Sequence, residues 1–195
     1  MHDVRVLLIP GGGNSGPDHW QTIWESHDDS MERVVQVDWT GGTREQWVAT
    51  LDHHVQSSKR PTVLVAHSLG NIVVCHWAAA HAGNVIGALL VAPADVEADW
   101  PLEGSLYQAF RPIPMKQLPF ASILVESTND PYLTMNRARA MASAWGSRLH
   151  VVGPLGHIGS ASKLEHWPDG RRLLDEIAQS QPVRSDNADE GVDLR

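Results

Sequence analysis

The residues Ala66-His67-Ser68-Leu69-Gly70 follow a β-branched, apolar run, Thr62–Ala66, and lead directly into an apolar helix pattern. A serine on a sharp strand-to-helix turn presents its hydroxyl clear of the sheet, and the turn requires small residues two positions either side of it. Here they are Ala66 and Gly70, with alanine standing where the usual G-x-S-x-G pattern has glycine. A serine hydroxyl becomes a useful nucleophile only when a base takes its proton and a third group orients the base. Two later residues suit those parts. Asp130 lies in Ser127-Thr128-Asn129-Asp130-Pro131, just past the run Ser122–Glu126, and His157 lies in Gly153-Pro154-Leu155-Gly156-His157, just past Arg148–Val152. All three therefore follow the carboxyl ends of predicted strands, in the chain order serine, acid, histidine. Taken singly, Ser68 could cap the next helix, Asp130 could simply start a turn, and Asp95 is a competing acid.

A glycine loop, Gly11-Gly12-Gly13-Asn14, follows the first predicted strand. Such a loop supplies one N–H to an oxyanion and the residue after the serine supplies another; position assigns these to Gly12, with Gly13 as fallback, and Leu69. The same segment reads G-x-G-x-x-G through Gly11, Gly13 and Gly16, and Asp38 ends the second predicted strand, so a Rossmann-type dinucleotide-binding enzyme is a rival reading. Pro17 disfavours helical geometry at Gly16, and Asp18 would place negative charge where a pyrophosphate belongs. A non-catalytic binding protein on the same scaffold is a third reading.

These residues need elements to hold them. Six strand-length runs, Val4–Ile9, Arg33–Asp38, Thr62–Ala66, Val85–Val91, Ser122–Glu126 and Arg148–Val152, are close to continuously apolar, as strands buried on both faces are. Helix patterns lie between them. Thr43-Arg44-Glu45-Gln46 has capping-box spacing ahead of Trp47, Leu51 and Val55. Leu69–His81 is followed by Gly83, Asn136–Trp145 is stopped by Gly146, and Pro168 opens a last helix with Leu173, Leu174 and Ile177 on its buried face. The alternation predicts an α/β fold, a three-layer α/β/α sandwich around a parallel sheet. Asp95–Pro119, with four prolines, reads as an irregular excursion and a minimal cap. The domain is expected over residues 1–180, with a disordered polar tail over 181–195.

Composition narrows the partners. In 195 residues the formal net charge is -8 and no Lys/Arg stripe occurs, which argues against nucleic acid or an anionic membrane. The apolar start is too short for a span and lacks the features of a signal peptide, so a cytoplasmic enzyme is expected. The one cysteine, Cys75, allows neither an internal disulfide nor a cysteine-built zinc site, and it reads as a buried small residue. His76 and His81 share no tight helical face, so no metal is expected, and the chemistry requires no cofactor. Eight tryptophans are many for this length; Trp20 and Trp100, with His19, are candidate walls of a substrate pocket, and Trp24 and Trp39 lie near the same strand ends. The chain is expected to act as a monomer on a small molecule.

With these motifs in place, the chain resembles the small serine hydrolases related to retinoblastoma-binding protein 9, in their bacterial branch, from about Val4 to Ile177. The likeness is carried by Ile9-Pro10-Gly11-Gly12-Gly13, Asp18-His19-Trp20 with Trp24, Ala66-His67-Ser68-Leu69-Gly70, Ser127-Thr128-Asn129-Asp130-Pro131-Tyr132, Gly156-His157-Ile158 and Glu165-His166-Trp167-Pro168-Asp169-Gly170. The resemblance implies a compact α/β-hydrolase fold lacking the first two strands of larger relatives, a six-stranded sheet in the order 2-1-3-4-5-6, and a reduced cap. It also implies that Ser68, Asp130 and His157 form the triad that cleaves an ester, thioester or amide. Recognition of the retinoblastoma protein is associated with an L-x-C-x-E motif. Val73-Val74-Cys75-His76-Trp77 does not match it, and that partner is not expected.

Overall fold

Apolar runs that cannot face water on either side pair with one another and are covered by helices. In the computed structural model, which describes residues 4–98 and 105–179, six such runs form one sheet. They are β1 (Arg5–Ile9), β2 (Met31–Arg33), β3 (Thr62–Ser68), β4 (Val85–Pro93), β5 (Ala121–Ser127) and β6 (Arg148–Val152). All neighbours are parallel and their order is β2-β1-β3-β4-β5-β6. Side chains alternate between the two faces. Leu8, Val63, Val65 and Val125 meet Trp20 and Trp24 of α1 (Trp20–His27) and Leu173, Leu174 and Ile177 of α6 (Pro168–Gln179). On the other face Leu7, Leu64 and Leu90 meet α2 (Arg44–Gln56), α3 (Leu69–Ala80) and α5 (Met135–Trp145) through Trp47, Leu51, Ile72 and Met141. The three-layer sandwich is as expected.

Helix ends follow local chemistry. Thr43 Oγ1 accepts the Gln46 N–H at 3.2 Å while Gln46 Oε1 accepts the Thr43 N–H at 2.8 Å, a reciprocal capping box. Gly146, at φ 69°, closes α5 as predicted. By contrast α3 stops at Ala80, with His81 in extended backbone, so Gly83 does not close it. Trp77 is its last buried residue, and beyond it nothing anchors another turn.

The second strand departs from the pattern: it spans Met31–Arg33, not 33–38. Val6 N–H donates to Ser30 O and Val34 N–H to Leu8 O, so the next donor due from β1 is Pro10, which has no N–H. Val34 and Gln36 remain buried while Val35 and Val37 are exposed, so period-two burial continues where the ladder has ended. The excursion between β4 and β5 contains a short helix, α4 (Ser105–Gln108), within its described part. Trp100 and the tail over 181–195 lie outside the described residues.

The start of α3 lies against the end of β1. A Cβ on Gly70 would stand 2.2 Å from Ile9 O and 2.8 Å from Pro10 O, both backbone atoms that cannot swing aside. Gly70→Ala is therefore expected to lower stability by roughly 1–3 kcal/mol, the usual cost of overpacking, read as a lower urea midpoint at unchanged m-value.

Candidate active site

Ser68 ends β3 and precedes α3 with φ 55° and ψ -125°. A non-glycine residue in that region carries strain of order 1–3 kcal/mol and persists only where its surroundings hold it. They do. Gly11 lies so close that a Cβ there would be 2.7 Å from Ser68 Cβ, and the buried Asn71 side chain donates to Ser68 O at 2.9 Å and to Val91 O at 2.8 Å. The serine hydroxyl does not cap the helix. It hydrogen-bonds instead to His157 Nε2 at 2.9 Å.

His157 Nδ1 lies 2.7 Å from Asp130 Oδ2, and the Asp130 side chain is shut off from solvent. Asp130 Oδ1 accepts the Tyr132 N–H at 2.8 Å. A carboxylate can only accept, so Nδ1 carries the hydrogen and Nε2 is left to accept from the serine. The three residues that the sequence placed after separate strands thus form one relay. Asp95, the competing acid, is paired with Arg137 at 3.1 Å.

Two loops must keep register for the relay to close. Ser127 Oγ accepts the Leu155 N–H at 3.0 Å and Asn129 Oδ1 accepts the Gly156 N–H at 2.7 Å, tying the Asp130 loop to the His157 loop. His67 Nε2–H donates to His157 O at 2.8 Å, and Trp20 Nε1–H donates to Ile158 O at 2.8 Å. Sequence reasoning treated His67 only as the variable residue of its turn. No spacing rule links it to a carbonyl ninety residues away.

Above Ser68 the glycine loop supplies N–H groups. Gly13 N–H is engaged by Trp39 O at 2.8 Å, which removes it as the fallback donor, whereas Gly12 and Leu69 N–H have no such partner among the described residues. The dinucleotide reading of this loop fails on space. Ser68 fills the room over Gly11, α1 begins only at Trp20, and Asp38 accepts the Thr40 and Gly41 N–H groups within its own turn.

A profile of the serine hydrolase family matches residues 6–176. The chain belongs to that family. It is similar to a YdeN-like hydrolase from Pectobacterium atrosepticum, with a TM-score of 0.82 and 28% identity over 91% of this chain and 92% of that one. The ydeN gene product of B. subtilis shares the fold at TM-score 0.70 and 17% identity, covering 89% of this chain and 98% of its own. Est1E from Butyrivibrio proteoclasticus does so at 0.65 and 13%, covering 92% and 90%. No curated protein matches by sequence. The narrower likeness to retinoblastoma-binding protein 9 rests on the motifs alone.

The hydrolase has a cavity of about 290 Å³ over Ser68, lined by the glycine loop, His19, His67, Tyr107, Tyr132, His157 and Ser160. His19 is where the sequence reading put it; Trp20 is not. Trp20 is buried beneath the site, edge-on to Trp24 and tilted against Trp167, and its indole N–H braces the His157 loop. Trp39, partly buried, packs edge-on against Trp47 at the margin of the core. Tyr107 of α4 and Tyr132 are the aromatic side chains among the described residues that line it beside the histidines. Tyr107 reaches so close over Gly12 that a Cβ there would be 2.6 Å from its hydroxyl. Among the described residues no group of three or more His, Cys, Asp or Glu could hold a metal, and no helix is long and apolar enough to cross a membrane.

The floor of the cavity is shielded from solvent. His67 is buried, and burial first, then the charges of His157 and His19, hold its pKa well below the ordinary imidazole range. His19 Nδ1 accepts the Gln21 N–H at 3.1 Å, so its Nε2 carries the hydrogen; burial, then Arg33 and His157, bring its pKa down to about 4. The unfolded chain accepts a proton near pH 6.5 that folded His19 refuses until about 4. Stability from this residue is therefore present above pH 6.5 and lost as pH falls toward 4. His19→Asn, which can still cap α1, is expected to flatten the decline of the denaturation midpoint over that range.

Proposed function

We propose that the protein is a carboxylesterase-like serine hydrolase that cleaves an ester, thioester or amide of a small acyl group through an acyl-enzyme on Ser68. One observation carries this reading: a strained, buried serine hydroxyl bonded to a histidine whose other nitrogen is held by a shielded carboxylate. His157 takes the proton as Ser68 Oγ attacks the carbonyl carbon, and the oxyanion is held by the Gly12 and Leu69 N–H groups. His157 then gives the proton to the leaving group and afterwards takes one from the water that frees the acid. Asp130 keeps Nδ1–H in place and offsets the imidazolium charge. A cavity of about 290 Å³ stands at the lower edge of the roughly 300–1,000 Å³ usual for ligand pockets, which favours small acyl groups. The substrate is a small molecule; the acidic surface is a poor match for nucleic acid or an anionic membrane.

The test is covalent labelling by a fluorophosphonate. Wild type is expected to take one label per chain and Ser68→Ala none. Asp130→Asn should fold yet hydrolyse a short-chain ester about 10⁴-fold more slowly, because the amide favours the wrong tautomer. An unlabelled wild type, or an alanine variant that labels equally, would leave a binding protein on a hydrolase scaffold as the better account.

A further inference from the structure

β5 ends in a carboxyl group that the relay does not use. Glu126 is fully buried at the strand end, four residues before Asp130. Its Oε1 accepts the Ser127 N–H at 2.9 Å. Its Oε2 is buried and meets no N–H or O–H donor among the described residues, and the neighbour whose carboxyl acts on the Glu126 carboxyl is Asp130. Two ionised carboxylates are acceptors only, so in dry protein that contact would be repulsive and without a hydrogen bond. One proton between them removes both penalties. Its place follows from the donors nearby. Asp130 already accepts from His157 and Tyr132, whereas Glu126 has a single N–H and no solvent.

We propose that Glu126 is a neutral acid whose O–H donates to the Asp130 carboxylate, making it a positioning residue for the Asp130–His157–Ser68 relay. This rests on the hydrolytic reading above. The donated O–H adds a hydrogen bond to those from His157 and Tyr132 that hold the Asp130 carboxylate. It also moderates the negative charge facing the imidazole without removing the acceptor.

The electrostatics agree with the geometry. Burial first, then the charge of Asp130, pushes the Glu126 pKa up to about 9. Other ionisable groups at this sheet edge are committed elsewhere. Asp95, beyond β4, and Arg137, on α5, are paired with each other, and His157, beyond β6, is held by Asp130 and Ser68. Above about pH 9 the proton leaves, the donor is lost and a second charge appears beside Asp130.

The experiment compares Glu126→Gln, which keeps a donor and cannot ionise, with Glu126→Leu, which keeps bulk and loses the donor. Fluorophosphonate labelling rates are followed from neutral pH to well above 9. Wild type should lose labelling rate as pH passes about 9, and the Gln variant should lack that limb. At neutral pH the Leu variant should label about tenfold more slowly, the worth of one hydrogen bond to a charged group, with Gln recovering most of the deficit. Wild-type rates in both variants, with the same alkaline limb, would overturn the proposal.

Two further measurements decide the pairing even if wild type takes no label, an outcome that would defeat only the hydrolytic reading. Folded Glu126 keeps a proton that the unfolded chain releases near pH 4.5, so wild-type stability falls as pH rises from 4.5 toward 9. The stability of Glu126→Gln relative to wild type should climb over that range, and a constant difference counts against the idea. Carboxyl ¹³C titration of Glu126 in the wild-type protein needs no variant. A midpoint well above neutrality is expected, and one in the ordinary carboxylate range sinks the proposal.

Discussion

The close approach of three backbone segments at Ser68 governs everything at this edge of the sheet. The start of α3 lies against the carbonyl groups of Ile9 and Pro10, and the glycine loop closes over the serine from the other side. Only residues without a side chain fit at Gly70 and Gly11, and the strain at Ser68 is sustained because both neighbours leave it nowhere to relax. The result is a hydroxyl turned away from helix capping and toward a histidine that arrives from a loop beyond a different strand.

That histidine is placed by many small constraints. Its loop is bonded to the Asp130 loop through Ser127 and Asn129, to β3 through His67, and to α1 through Trp20. None of these bonds touches a reacting atom in the proposed chemistry. Together they remove the freedom that the glycines on either side of His157 would otherwise allow. Since hydrogen-bond geometry in a relay tolerates only tenths of an ångström, such bracing is as much part of the site as the relay itself.

Dryness is the second constraint. His19 and His67 are buried beneath the cavity and stay neutral because solvent cannot stabilise their charge. The proposed protonated state of Glu126 belongs to the same environment. An apolar layer containing Trp20, Trp24 and Trp167 seals one face below, and the Trp47 side of the core seals the other. These four tryptophans therefore act on the site through the dielectric and, at Trp20, through loop bracing.

Strand runs, caps and the α/β class were legible from the sequence because they depend on local periodicity, as at Thr43–Gln46 and Gly146. The meeting of Ser68, Asp130 and His157 was legible because strand ends in a parallel sheet share one edge, so order along the chain predicts proximity. What the sequence could not supply depends on contacts between distant segments. The length of β2 was set by Pro10 in its neighbour, the duty of Trp20 by a carbonyl beyond β6, and the pairing of Glu126 with Asp130 by the direction in which a turn folds back. Residue types and spacing determined which groups could do chemistry and on which edge they would meet. Tertiary structure decided which face each side chain turned to and what shared its dry surroundings, because burial and hydrogen-bond partners exist only once the chain has closed around them.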